Sequence, residues 1–162
     1  MKVFFNREEK FTPYGGGSQF ITAMARKFRQ NGHQVTFHLE EDVDLIFMID
    51  PRPGGIGYSV NHIIQHKLNH PNVKILHRIN ECDARKNTNF MDNILIESAK
   101  HVDCVIFISQ WLKDYFTQKG MNTNDCDVIY NGCDTSHFFP RKEIDSKTKT
   151  KIVTHHWSDP GS

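Results

Sequence analysis

The chain has 162 residues with 20 basic and 19 acidic side chains, a net charge of +1, so no global field draws it to nucleic acid or an anionic membrane. Its length suits one domain with a substantial core and is too short for two of ordinary size. No apolar run reaches the ~20 residues that cross a bilayer, and Arg7, Glu8, Glu9 and Lys10 interrupt any signal-peptide core.

Lys2-Val3-Phe4-Phe5 is a β-branched and aromatic run that predicts a buried first strand. Gly15-Gly16-Gly17-Ser18 follows as a glycine turn. From Ser18 a helix is predicted, because Phe20, Ile21, Met24, Ala25 and Phe28 recur at helical spacing and Gly32 supplies a stop. Strand, glycine turn and helix start aim free backbone N–H groups and the positive end of a dipole at one point. That is an anion site, most often for phosphate. Three glycines serve equally as a permissive turn, so this signal is weak alone.

Gln34 to Leu39 alternates with period two, as a strand near a sheet edge does, and Leu45 to Ile49 is a continuous apolar run. Asp50 to Gly57, rich in proline and glycine, is a loop. Val60, Ile63, Ile64 and Leu68 mark a helix over Tyr58 to Asn69, and Val73 to Ile79 is the fourth strand. Phe90 to Ala99 reads as a third helix and Asp103 to Ile108 as a fifth strand. Ser109 caps a helix with Trp111, Leu112, Tyr115 and Phe116 at core spacing and Gly120 as its stop; Asp127 to Tyr130 is a last strand. The four cysteines lack C-x-x-C spacing, and Cys104 stands within an apolar strand, which predicts a reduced, cytoplasmic compartment.

Strands alternating with helices predict an α/β, Rossmann-like, doubly wound parallel sheet. Under the common order 3-2-1-4-5-6 the direction of winding changes between the first and fourth strands, and ligands bind beyond the strand ends there. The glycine turn and Arg78 to Arg85 border that crevice. Arg78, Asn80, Glu81, Asp83 and Arg85 are then either a solvated loop of mutual ion pairs or a polar pocket, and the switch point favours the pocket. The tail predicts a linker over 141–151 and a new strand from Ile152, so that 1–140 is one domain and 152–162 opens a second, truncated one. An unpaired strand there offers a route to self-association.

In this order and spacing the residues resemble the GT-B-fold glycosyltransferases of family four. The resemblance rests on the glycines at 15–17, on Asn31-Gly32-His33-Gln34-Val35, on Ser109-Gln110-Trp111-Leu112, and above all on Val128-Ile129-Tyr130-Asn131-Gly132-Cys133-Asp134 with Phe138 and Pro140. It covers the N-terminal, acceptor-side half of such an enzyme, and His155-His156-Trp157-Ser158 looks like the opening of the donor domain. The resemblance implies transfer of a sugar from a nucleotide-sugar donor to a glycan or other acceptor, with retention and without an obligatory metal or cofactor. It implies donor phosphates at Gly15, Gly16, Gly17, Ser18 and Arg78, with acceptor contacts at Asn80, Glu81, Asp83 and Arg85. The donor domain, in cis or trans, would carry the carboxylates that this chain lacks, so the chain alone is expected to be inactive. No catalytic residue is assigned, and the role of the family's acceptor-domain histidine is not assigned to His77, which lies inside the fourth strand.

Two other classes compete: a non-catalytic module that binds a glycan or partner, and a dinucleotide domain. Gly15 and Gly17 with Glu40 or Glu41 fit the dinucleotide pattern, but Phe20 occupies its third glycine position and the loop from Asn6 to Tyr14 is too long. His62, His66 and His70 share a helix face without a third-ligand partner or a glutamate at Ile63, so a solvated face is expected rather than zinc. Trp111 and Phe116 are expected in the core, and Lys147 to Lys151 in solvent.

Overall fold

The computed structural model describes residues 1–10, 15–54, 57–135 and 138–139. Six strands form one sheet: β1 (Lys2–Phe5), β2 (Gln34–Thr36), β3 (Leu45–Met48), β4 (Lys74–Ile79), β5 (Cys104–Phe107) and β6 (Asp127–Val128). Helices α1 (Gly16–Gln30), α2 (Val60–Asn69), α3 (Asp83–Lys86), α4 (Met91–Ala99) and α5 (Gln110–Gln118) lie between them. Every pairing is parallel, so the fold is the expected α/β, Rossmann-like sheet. The chain divides into two compact units, Met1–Asn131 and Gly132–Ser162. In the second, Phe138 donates its N–H to Asp134 O at 2.9 Å, and Phe138 and Phe139 are exposed. The expected linker at 141–151 and strand from Ile152 lie outside the described residues.

The strand order is β2-β1-β3-β4-β5-β6, not the 3-2-1-4-5-6 expected from the sequence. The segment 37–44 between β2 and β3 carries no helix and takes the chain across β1 to its other side. The change of direction therefore falls between β1 and β3. β2 is an edge strand, as its alternation predicts, but it ends at Thr36. The Thr36 hydroxyl accepts from His38 N at 3.1 Å and donates to Glu40 at 2.7 Å, which turns the chain.

Alternation across the strands divides the core. Val3, Phe5 and Phe47 face α1 through Ile21 and Ala25. Phe4, Ile46, Met48 and Ile75 pack on α2 through Ile63. On that same side Ile79, Val105 and Phe107 meet Leu95 of α4 and Leu112 and Phe116 of α5. By register Arg78 points to the α1 side, between Leu76 and Ile106. Three expectations about burial are corrected. Leu68 is 70% exposed and Trp111 54% exposed, whereas His66 is buried and stacks on His70 at 4.4 Å between ring centroids. Helical spacing alone did not separate the inward positions of α2 and α5 from their flanks.

One side chain joins the two strands at the switch. Asn6, 1% exposed, accepts from Ile49 N at 2.7 Å and Asp50 N at 3.4 Å, and donates to Asp50 O at 2.6 Å and Tyr58 O at 2.8 Å. Gly57 packs on the same place. Its φ is +108°, and a Cβ there would stand 2.6 Å from Asn6 O. Removing the amide strands buried N–H and C=O groups, so Asn6→Ala is expected to cost about 2–4 kcal/mol in urea unfolding. A change within about 0.5 kcal/mol, the range of ordinary surface substitutions, would refute this role.

Candidate functional site

Parallel strands send their carboxyl ends to one edge of the sheet, and ligand sites in such folds form there. At the β1 exit, Gly15 precedes α1 with φ +56° and ψ 147°. The positive φ calls for glycine at this position. α1 has no side-chain cap and no acidic residue in its first turn. The N–H groups of such a first turn have no intrahelical acceptors. A Cβ on Gly15, Gly16 or Gly17 would meet nothing within 4 Å among the described residues outside its chain neighbours and the helix's own backbone.

Arg78, at the end of β4, reaches this helix start. Its Cζ lies 3.8 Å from the ring centroid of Phe20, in the second turn of α1. Nη2 donates to Asn131 Oδ1 at 2.9 Å, while Nη1 is buried with no partner among the described residues. The residue is 6% exposed, and burial lowers its pKa. No carboxylate pairs with it among the described residues. Among the described residues the guanidinium is held by a ring face and an amide alone, and a buried charge in that state is costly.

The other expected residues divide. Asn80 and Glu81 are half-buried at the β4 exit, and the Glu81 charge acts on Arg52 across from it. Arg85 is exposed on α3. Asp83 turns away into a cap. Its oxygens accept from Thr88 Oγ1 at 2.5 Å, Met91 N at 2.9 Å and Asp92 N at 3.0 Å. Partial burial pushes the Asp83 carboxyl up, but these bonds bring it below its ordinary value. Asp92 returns the contact, accepting from Asp83 N at 2.8 Å.

Three residues of the crevice lie outside the predicted site: Arg7 in the loop after β1, and Asp50 and Arg52 in the loop after β3, which sequence pattern marks only as connections. Asp50 receives Arg7 at 3.2 Å and Arg52 at 2.6 Å. Burial pushes the Asp50 carboxyl up, yet the bonds from Arg52 and the charges of Arg7 and Arg52 hold it below normal. The signal available was an aspartate two residues before an arginine at the end of an apolar strand, in a loop with no other explanation. The cavity of about 450 Å³ lined by Val102, Cys104, Met121 and Cys126 sits at the opposite, amino-terminal edge of the sheet and contains none of these residues.

The chain matches the model of Glycosyltransferase Family 4 over residues 38–137. It belongs to glycosyltransferase family 4. No curated protein matches it. The family match takes in β3 to β6, with Arg78, the β4 exit and Asn131, and leaves the glycine turn and α1 outside. Phe20 and Arg78 therefore join a matched strand to an unmatched helix. No helix among the described residues is long and apolar enough to cross a membrane, and no group of three or more histidine, cysteine or acidic residues there could hold a metal ion. On α2, His62 Nδ1 accepts from Ser59 N at 3.1 Å, closing the helix start.

His77 is fully buried on the side of β4 opposite Arg78, with Nδ1 3.4 Å from Ser98 Oγ and Nε2 unpartnered among the described residues. Burial lowers its pKa to about 3, against an opposing pull from Asp50. The unfolded chain takes up a proton near pH 6.5 that the folded chain refuses. Stability is thus full above that pH and falls as pH drops toward 3. Between pH 7 and pH 5 the loss due to His77 is expected to be about 2 kcal/mol. Urea unfolding of His77→Gln at both values checks this, and the expected result is a much shallower fall.

Proposed function

We propose that this chain is the acceptor-side half of a retaining glycosyltransferase that uses a nucleotide-sugar donor. The observation that carries the reading is Arg78, a buried guanidinium with no carboxylate partner among the described residues, lying on Phe20 near the start of α1. As the bond from the sugar carbon to the diphosphate breaks, negative charge grows on the leaving oxygen. In this reading the N–H groups of Gly16, Gly17 and Ser18, the helix dipole and Arg78 stabilise that charge, and the Arg78–Phe20 contact supports their acting together. The acceptor hydroxyl oxygen would bond to the same carbon on the face the phosphate leaves, its proton passing to the departing diphosphate oxygen. Asn80, Glu81 and Arg85 at the β4 exit would receive the acceptor, and Asp83 would act through the loop it caps. The reading includes no cofactor, a cytoplasmic setting, and a donor domain in cis or trans that supplies the remaining carboxylates.

In the complete two-domain enzyme, Gly16→Val and Arg78→Ala are each expected to lower sugar transfer about tenfold or more, since a hydrogen bond to a charged group contributes ~1.5–3 kcal/mol. A Cβ at Gly16 meets no described atom, so loss of activity there with unchanged thermal stability would report on ligand approach rather than folding. Activity untouched by both substitutions would remove the proposed site. Turnover of a nucleotide sugar by the 162-residue chain alone, at the ~1 s⁻¹ or more usual for enzymes, would overturn its role as an incomplete half.

A further inference from the structure

The geometry points to Trp111 as a stacking platform for a pyranose ring of the acceptor, a site that rests on the glycosyltransferase reading above. The ring is 54% exposed, yet it is held. It stacks on Tyr115 with centroids 5.5 Å apart and planes 22° from parallel. Tyr115 in turn donates to Asp92 Oδ2 at 2.5 Å, and Lys119 joins the same carboxylate at 2.9 Å. The indole is thus stacked against a fixed ring on one side while much of the residue meets solvent. Pre-organising a contact surface in this way lowers the ordering cost of binding.

Two stripes run side by side along α5. Trp111 and Tyr115 form an aromatic one. Gln110 and Asp114, one position earlier, form a polar one in which Gln110 Nε2 donates to Asp114 at 2.8 Å. A sugar ring has the matching character: a face of polarised C–H groups that suits the negative face of an aromatic ring, and a rim of hydroxyls. A purely apolar partner would leave the polar stripe unanswered. Placement agrees with this occupant. α5 starts directly beyond the carboxyl end of β5, so Trp111 lies on the same edge of the sheet as the β4 exit. Tyr115, Asp92 and Asp83 form a continuous hydrogen-bonded chain from the platform to that exit. Asp83 is in this account a positioning residue for the acceptor.

The test uses the 162-residue chain with methyl β-D-glucopyranoside, methyl β-D-galactopyranoside and methyl α-D-mannopyranoside, read by saturation-transfer NMR. Binding of inorganic pyrophosphate is measured in parallel by calorimetry. At least one glycoside is expected to receive saturation concentrated on the C–H protons of one ring face. Trp111→Ala should weaken that binding about tenfold, as loss of an aromatic contact of ~1.5 kcal/mol requires. Trp111→Leu keeps apolar volume without a π face and should weaken it similarly, while Trp111→Phe should largely retain it. Absence of transfer to all three glycosides, or transfer unchanged in both the alanine and leucine variants, overturns the platform. So does a shift in sedimentation of those variants with glycoside binding intact, which would assign the ring to a protein contact. Pyrophosphate binding separates the two readings. If it persists while the glycosides fail, only the platform falls; if it is absent while the glycosides bind, only the phosphate site falls.

Discussion

The amide of Asn6 uses all four of its hydrogen-bonding positions to tie the end of β1 to the start of the β3 loop. A doubly wound sheet needs such a tie where its winding reverses, because the two chains leave in opposite directions and no helix crosses between them. Here the tie is fully buried and fully satisfied, which makes it worth more than the same bonds at the surface. It also fixes the backbone of Ile49 and Asp50, and so the direction of the Asp50 carboxylate. The cluster of Arg7 and Arg52 around Asp50 is thus built on this one side chain.

Those charges do not balance evenly. Arg7 and Arg52 share Asp50, and Glu81 lies near enough to Arg52 to favour its charged form. That group is close to neutral. Arg78 stands apart, supported by an aromatic face and one amide oxygen. Most buried arginines are paired, since the desolvation of a lone guanidinium is costly. Among the described residues the crevice thus holds one ion-pair cluster and, apart from it, one guanidinium without a carboxylate partner. Phe20, the ring beneath it, belongs to the second turn of α1.

Much of this was legible in the sequence, but unevenly. The apolar runs at Leu45 to Ile49 and Val73 to Ile79 announced buried parallel strands, and Ser109 was readable as a cap, accepting from Leu112 N at 3.2 Å. Gly32 and Gly120 end their helices with φ of +80° and +86°. Strand order was not legible, because the short segment 37–44 fits a return to either side of β1. Nor was the orientation of Asp83, whose partners Met91 and Asp92 lie beyond an intervening turn in which Asn87 takes φ 53°. Trp111 was misplaced since positions 111, 112, 115 and 116 span a stripe wider than the buried face of α5, and only Leu112 and Phe116 occupy it fully. Arg78 was singled out for its charge, but its burial follows from register, which no local pattern contains.

The sheet is longest at its middle and shortest at its rims: β4 has six residues, while β2 has three and β6 two. A rim that short offers a passing strand only one or two backbone groups to pair with, too few to offset the entropy of docking. Within the described residues, the sheet therefore discourages templated growth by its outline rather than by charge. The same taper grades the amide protons. Those of β4, flanked on both sides, are expected to exchange last, and those of β2 and β6 first.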